Sequence, residues 1–301
     1  MNINKFRGVI PAMATPFMAD FSLDINRIAE LVDGYINAGV HGISVAGSQG
    51  EFFSLELREH LQLLETATEA VAGRVPMYAG TGAVTTRGAI EITKAAESMG
   101  VDLALVITPY FVQPSQDELV EHYTSIARST RLPVMLYNNP PRTSVNVLPQ
   151  TLARCMSLAE NIVGIKDSGG DLTQSIEYQL RAPRQALLFS GRDTLTLSMM
   201  MHGAQGAISP AANVFPALMV GLYDAAKKGD YKEALRLSNL FAPLRAAWAL
   251  GSFPVVIKEA MALAGMDCGP TRPPIGKLSA EARTQVAAIV AQIAAAADQD
   301  A

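Results

Sequence analysis

Cysteine is almost absent from the sequence, and so is any concentration of charge of one sign. Only Cys155 and Cys268 occur in 301 residues, far apart and without the spacing of a metal-ligand motif, which argues against a disulfide framework or a zinc site. Lysines and arginines are dispersed and the formal net charge is −4, so no basic stripe is available for a nucleic-acid backbone. We therefore expect no metal and no nucleic-acid partner.

Long uninterrupted apolar segments are also missing. The N-terminal residues reach their first proline without the apolar core of a signal peptide. The uncharged stretch 194–223 contains two prolines and several polar residues, which a membrane-spanning helix disfavours. We expect a cytoplasmic protein with no membrane partner.

Short apolar runs instead recur at the spacing of a strand-plus-helix unit. They read GVIPAMATP, GISVAG, VPMYAGT, LALVITPY, PVMLYNN, IVGIKDS, ALLFSGR and GAISP. Their apolar residues are continuous rather than alternating, which is typical of parallel strands buried on both faces. Eight such runs predict an α/β fold, a closed (β/α)8 TIM barrel, over residues 1–225.

Helical patterns separate these runs and continue after the last one. Gly39 follows an amphipathic stripe as an expected helix stop, and Ser115 with Glu118 forms an expected capping box. After Pro210 the pattern predicts helices at 215–227, 230–250, 253–264 and 279–297. A barrel needs only one of these, so we expect a C-terminal helical extension, residues 226–301, packed on the barrel.

Two polar residues end apolar runs, where the chemistry of such barrels collects. Lys166 follows Ile165, and apolar surroundings favour the neutral amine that can form a Schiff base. Tyr137 ends the preceding run and could exchange protons with it. The alternatives are an ion pair between Lys166 and Asp167 and a purely structural, buried tyrosine.

The segment AGSQGE, around Ser48, has two interpretations. The frame resembles a nucleophile elbow, but an elbow needs an upstream oxyanion loop and a suitably placed histidine, and the sequence offers neither. The flanking glycines instead leave the backbone N–H groups of Ser48 and Gln49 free to bind an anion. A serine hydrolase is the weaker alternative.

Five motifs in register resemble the dihydrodipicolinate synthase and N-acetylneuraminate lyase superfamily over essentially the whole chain. They are GSQGE, PYFVQPSQDEL, LYNNPPRTSVN, GIKDS and GAISPAANVFP. The resemblance implies that Lys166 condenses with the keto carbon of pyruvate or another 2-oxo acid and that Tyr137 relays protons. The lysine imine is itself the electron sink, so we expect no cofactor.

The resemblance assigns further residues to substrate binding. Ser48 and Gln49 match the pair whose N–H groups hold the 2-oxo-acid carboxylate, with the Ser48 hydroxyl as a member of the proton relay. Gly191 and Ile208 match positions whose carbonyls flank the bound pyruvyl group. Arg142 matches the arginine of the synthase branch that receives the distal carboxylate of the aldehyde.

Two positions depart from the family pattern. Gln49 replaces a threonine, and Phe111 stands where the synthase branch commonly has a tyrosine that reaches into the neighbouring subunit's site. Phenylalanine carries no proton, which argues against strict synthase activity.

These residues predict a Schiff-base lyase that acts on pyruvate or a related 2-oxo acid by aldol condensation, cleavage or dehydration. Alternatives are 4-hydroxy-tetrahydrodipicolinate synthase proper, using pyruvate and aspartate semialdehyde, and a non-catalytic 2-oxo-acid binder. The resemblance also implies a homotetramer, built as a dimer of dimers.

Overall fold

Eight parallel strands form the centre of the computed structural model, which describes residues 2–298. They are β1 (Gly8–Pro11), β2 (Ile43–Val45), β3 (Met77–Gly80), β4 (Leu103–Ile107), β5 (Val134–Asn138), β6 (Ile162–Asp167), β7 (Leu187–Ser190) and β8 (Gly206–Ser209). From β2 to β8 each strand pairs with the next, and β8 pairs with β1. Just beyond β1, Ala12 bridges to Ser44 of β2 and nearly closes the barrel. The predicted (β/α)8 TIM barrel is confirmed.

Helices surround the strands. They are α1 (Ile25–Asn37), α2 (Leu57–Val71), α3 (Thr86–Ser98), α4 (Gln116–Arg128), α5 (Pro140–Thr143), α6 (Pro149–Leu158), α7 (Leu172–Arg181), α8 (Thr196–Met201) and α9 (Pro216–Lys228). Ser115 and Glu118 form the predicted capping box at the start of α4. Just beyond the end of α1, Gly39 takes a φ of 85°, a conformation that glycine adopts without strain.

The apolar residues form two layers because strand side chains alternate between the two faces of the sheet. In β4, Leu103, Leu105 and Ile107 point into the barrel, where they pack with Tyr78 and Phe189. The intervening residues of that strand face the surrounding helices and join the larger outer core. Both faces of each strand are therefore buried, which explains the continuous apolar runs.

Three more helices follow the barrel, α10 (Tyr231–Ala246), α11 (Val255–Leu263) and α12 (Ala280–Asp298). Helix α10 packs along α9, and α12 packs against both α10 and α11. All four helices predicted after Pro210 are thus present. The division of the chain at residue 225 stays a prediction. Within residues 2–298, no helix is long and apolar enough to cross a membrane.

Candidate active site

Lys166 lies near the carboxyl end of β6 with only 3% of its surface exposed. Strand register places it between Tyr137 of β5 and Phe189 of β7. Its Nζ atom is 4.1 Å from the centre of the Tyr137 ring. The amine is therefore buried against a phenol at the end of the barrel where the catalytic groups of such folds collect.

Asp167 does not pair with this lysine. Successive strand residues point to opposite faces, and the Asp167 carboxylate accepts hydrogen bonds from Asn138, Gly169 and Ser175. No carboxylate of residues 2–298 lies within 4.0 Å of Lys166 Nζ. The structural ion pair considered from the sequence is absent from this part of the chain, which leaves the amine free for a reactant.

The Tyr137 phenol is held by its neighbours and electrostatically perturbed. Asn139 Nδ2 donates a 2.9 Å hydrogen bond to Tyr137 Oη. Burial raises the pKa of the Tyr137 phenol, but the Lys166 ammonium and the nearby Ser48, Ser168 and Asn139 side chains outweigh burial, so this pKa lies below its usual value. Ser48 Oγ forms no hydrogen bond of normal geometry within the described residues, so its contact with the phenol is loose. A phenol with a lowered pKa gives up and regains its proton more easily.

The GSQGE loop after β2 has an unusual backbone and an unpaired amide. Ala46 and Glu51 bracket it with φ angles of 54° and 55°. At Gly50 a Cβ atom would lie 2.9 Å from the Met13 carbonyl oxygen, so only glycine fits without a shift. Gln49 is 2% exposed, and neither its Oε1 nor its Nε2 has a hydrogen-bond partner among residues 2–298. Leaving a buried amide unpaired is unfavourable by roughly 1–3 kcal/mol per group, which favours a polar ligand here.

The nucleophile-elbow interpretation of Ser48 finds no support in the geometry. The sequence has four histidines, and none of them lines the cleft or is bonded to Ser48. His41, the nearest along the chain, accepts a hydrogen bond at Nδ1 from the Val9 backbone N–H, and His60 Nε2 bonds to the Gly80 carbonyl oxygen. Without an adjacent base, the serine hydroxyl is not activated for attack.

A buried ion pair anchors the loop to the C-terminal helices. Glu51 Oε1 lies 2.7 Å from Lys258 Nζ, and Glu51 Oε2 accepts a 3.0 Å hydrogen bond from the Arg272 backbone N–H. The Lys258 ammonium also donates to the Pro270 carbonyl oxygen at 2.7 Å. The loop that carries Gln49 is therefore held by residues more than 200 positions further along the chain.

The structure brings five of the predicted site residues to one cleft. Its empty space, including the open mouth, is about 490 Å³, which is ample for a small acid. The five are Gln49, Tyr137, Arg142, Lys166 and Gly191. A Cβ atom on Gly191 would lie 1.9 Å from Ser168 Oγ and 3.1 Å from Lys166 Cε. A larger residue at this position would therefore displace the Ser168 side chain beside the amine.

The other three predicted residues are not among those that line this cleft. Ser48 lines a neighbouring pocket together with Tyr110 and Arg142. Ile208 is fully buried with its side chain in the barrel interior, and the role of its backbone carbonyl beside the pyruvyl group stays a prediction. Phe111 is 97% exposed, with a φ of 72°, and is not among the residues that line the cleft of its own chain. A role for Phe111 in substrate binding stays a prediction.

Several cleft residues were not identified from the sequence. Asn139 and Ser168 lie inside or beside motifs that were recognised, so their positions offered a signal. Arg192 ends the run ALLFSGR, so it too offered a signal by its position. Arg245 on α10 and Phe253 just before α11 offered none, because they reach the mouth only through the fold. Phe253 stacks beneath Arg142, with the guanidinium carbon 4.4 Å from its ring centre.

Comparison with known proteins decides the family. Residues 5–293 match the family model described as the dihydrodipicolinate synthetase family. The chain belongs to this family. Membership confirms the predicted Schiff-base lyase chemistry, of the class I aldolase type, on pyruvate or a related 2-oxo acid.

Individual relatives cover nearly the full length. A 4-hydroxy-tetrahydrodipicolinate synthase of Methanoculleus marisnigri is 40% identical over 283 residues, which are 93% of this chain and 96% of the relative. The enzyme of the same name from Pseudomonas aeruginosa is 38% identical over 272 residues, 90% of this chain and 93% of its own.

Solved structures agree. A prophage protein of the dihydrodipicolinic acid synthase family from E. coli K12, solved in complex with pyruvate, superposes with a TM-score of 0.92 at 31% identity, covering 96% of this chain and 99% of that one. The chloride-inhibited dihydrodipicolinate synthase of Acinetobacter baumannii, also with pyruvate, gives 0.91 at 33% identity, covering 96% and 98%.

Proposed function

We propose that Lys166 is the residue that forms the Schiff base and that Tyr137 is its proton relay. The observation that carries this assignment is the buried Lys166 amine, 4.1 Å from the Tyr137 ring centre and without an ion pair among residues 2–298. The amine attacks the keto carbon, giving a carbinolamine. Loss of its hydroxyl as water then gives the iminium. Two protons pass from nitrogen to oxygen: one from the attacking nitrogen makes the keto oxygen the carbinolamine hydroxyl, and the one that the Lys166 ammonium gives up to become the attacking amine lets that hydroxyl leave as water. Tyr137, with its lowered pKa, carries these protons.

The carboxylate of the 2-oxo acid binds at the GSQGE loop. Gln49 presents a buried Nε2–H group without a partner to the cleft, and Ser48 Oγ is likewise unpaired within the described residues. A carboxylate accepts hydrogen bonds from such donors and from the loop's backbone N–H groups. This places the keto carbon between the loop and the Lys166 amine.

The test is borohydride reduction in the presence of pyruvate, followed by peptide mass spectrometry. A reduced pyruvyl adduct is expected on Lys166 and not on Lys258, which is equally buried but paired with Glu51. An adduct on Lys258, or none on Lys166, contradicts the assignment.

Lys166→Ala is expected to abolish turnover and Ser48→Ala to leave most of it. The reverse result points to a serine nucleophile, and adduct formation without turnover of any aldehyde points to a non-catalytic binder.

We propose that the second reactant is an aldehyde with its own carboxylate, held by Arg142. This guanidinium lines the cleft, is stacked on Phe253 and has no ion pair within residues 2–298. The relatives named 4-hydroxy-tetrahydrodipicolinate synthase favour aspartate semialdehyde, whereas Phe111 argues against a high rate with it. A coupled assay with pyruvate and aspartate semialdehyde distinguishes these outcomes. If the missing hydroxyl is limiting, Phe111→Tyr raises the rate.

We also propose that the protein assembles into the homotetramer implied by its family. Phe53, Phe111 and Val112 are exposed apolar side chains, of the kind that protein contacts cover. Light scattering after size-exclusion chromatography measures the assembly. A monomer at micromolar concentration contradicts it.

A further inference from the structure

Three arginines line the same cleft as Lys166. They are Arg142, Arg192 and Arg245, from the short helix α5, the loop after β7 and helix α10. Within residues 2–298, no carboxylate lies within 4.0 Å of any of their guanidinium nitrogens. The cleft therefore holds several positive charges without matching negative ones.

Neutral groups hold Arg192 and Arg245 in place. Arg192 Nε and Nη2 donate 3.0 Å hydrogen bonds to the carbonyl oxygens of Ser168 and Gly169. A Cβ atom on Gly170 would lie 2.6 Å from the Arg192 guanidinium carbon, so this glycine makes room for it. Arg245 stacks on Trp248, with its guanidinium carbon 4.0 Å from the ring centre. Both cations are thus oriented without being neutralised.

A neighbouring acid compensates Arg245 only in part. Asp193 accepts hydrogen bonds from the Ser209 hydroxyl and the Ala211 N–H and makes no ion pair with Arg245. Burial, partly offset by these hydrogen bonds and by attraction to Arg245, raises the pKa of the Asp193 carboxyl. Burial and then repulsion by Arg192 lower the pKa of Arg245, and attraction to Asp193 does not fully offset them. An anion bound between the arginines removes this repulsion.

A free hydrogen-bond donor accompanies the two cations. The indole Nε1–H of Trp248 is buried, and Trp248 also lines the cleft. This N–H group has no acceptor among the residues that the structure describes. Buried indole N–H groups normally find a partner, so an acceptor belongs at this place.

We propose that Arg192 and Arg245 form a second anion subsite and select a substrate with a distal carboxylate, of the 2-oxo dicarboxylate class. The inference rests on the proposed function, because the Lys166 imine fixes the other end of the same molecule. Arg142 flanks the subsite. Planar guanidinium groups bind carboxylates through paired hydrogen bonds, which makes both residues determinants of specificity.

The experiment compares 2-oxoglutarate with 2-oxopentanoate, which have the same chain length and differ in a terminal carboxylate against a methyl group. Borohydride trapping on Lys166, quantified by peptide mass spectrometry, gives the half-saturating concentration of each acid. In the unmodified protein, 2-oxoglutarate is expected to half-saturate at a concentration at least about tenfold lower. In Arg245→Gln and in Arg192→Gln this preference is expected to vanish, because the half-saturating concentration of 2-oxoglutarate rises towards that of 2-oxopentanoate.

Arg131→Gln is the matched control, because Arg131 is exposed and precedes β5 at the opposite end of the barrel. It is expected to keep the full preference. Arg192→Gln removes two contacts to backbone carbonyl oxygens, so if it fails to fold, Arg245→Gln decides, since the Arg245 side chain makes its described contact by stacking on Trp248. No preference in the unmodified protein, or one that survives in Arg245→Gln, overturns the inference. Failure of the proposed function is distinct, because pyruvate then leaves no adduct on Lys166 at all.

Discussion

Replacing Lys258 with methionine tests how strongly the buried ion pair holds the GSQGE loop. The side chains of Lys258 and Glu51 are 2% and 0% exposed. Lys258→Met keeps most of the apolar stem but leaves the Glu51 carboxylate buried without its cation. The Pro270 carbonyl oxygen also loses its donor. Both losses act in the folded state, because water solvates the same groups in the unfolded chain.

The expected loss is about 3–5 kcal/mol in the free energy of unfolding, the range found when one partner of a buried pair is removed. Taking about 2 °C per kcal/mol, the lower end of the range for somewhat smaller domains, this loss lowers the Tm by roughly 6–10 °C. Adding Glu51→Gln removes the unpaired negative charge of the buried Glu51 carboxylate and keeps an acceptor for the Arg272 backbone N–H. The double variant is therefore expected to recover at least about 2 kcal/mol.

Urea unfolding of the single and double variants measures this coupling. The control is Arg154→Met, which breaks a pair of the same length, 2.7 Å to Asp117, whose side chains are 51% and 83% exposed. An exposed pair contributes at most about 1 kcal/mol. The buried pair does not hold the loop as described if Lys258→Met lowers the free energy of unfolding no more than Arg154→Met does. The same conclusion follows if adding Glu51→Gln lowers it further.

Two further predictions concern the amine and the phenol. The Lys166 charge and hydrogen-bonding neighbours lower the pKa of Tyr137, so its phenolate forms at a lower pH than that of an ordinary tyrosine. Lys166→Met removes the largest of these lowering causes, so this ionisation step, followed by ultraviolet difference absorbance, should move to higher pH. An unchanged step refutes it. Gly191→Ala places a Cβ atom 1.9 Å from Ser168 Oγ, so the rate of borohydride trapping should fall at least about tenfold. Gly34→Ala, with no atom within 4 Å of the added Cβ, should match the original rate.

The barrel was predictable because its signals are local. Strands buried on both faces require continuous apolar runs. Tyr137 and Lys166 lie near the ends of two such runs, so the sequence alone predicted that both lie at the same end of the barrel. Side chains alternate between the two faces of a strand, so the neighbours Lys166 and Asp167 point in opposite directions and do not form an ion pair. For these positions, pattern and position along a strand were enough.

The remaining cleft residues depend on contacts between distant segments. Arg245 lies on a helix whose sequence has no motif, and it reaches the cleft only because α10 and α11 fold back over the barrel mouth. The link between Asn139 and the Tyr137 phenol rests on a distance of 2.9 Å that no spacing rule supplies. Phe111 was identified as a departure from the family, yet neither its exposure in the single chain nor its positive φ follows from the motif that contains it.

The anchoring of Glu51 has a consequence for the order of folding during synthesis. Its hydrogen-bond partner Arg272 lies 221 residues further along the chain. At about 5–20 residues per second, a ribosome needs roughly 10–45 s to make that interval, during which the loop's carboxylate has neither of its partners. The GSQGE loop therefore reaches its final form among the last parts of the molecule, although it is among the first to be translated. A nascent barrel without its C-terminal helices does not yet hold the finished cleft.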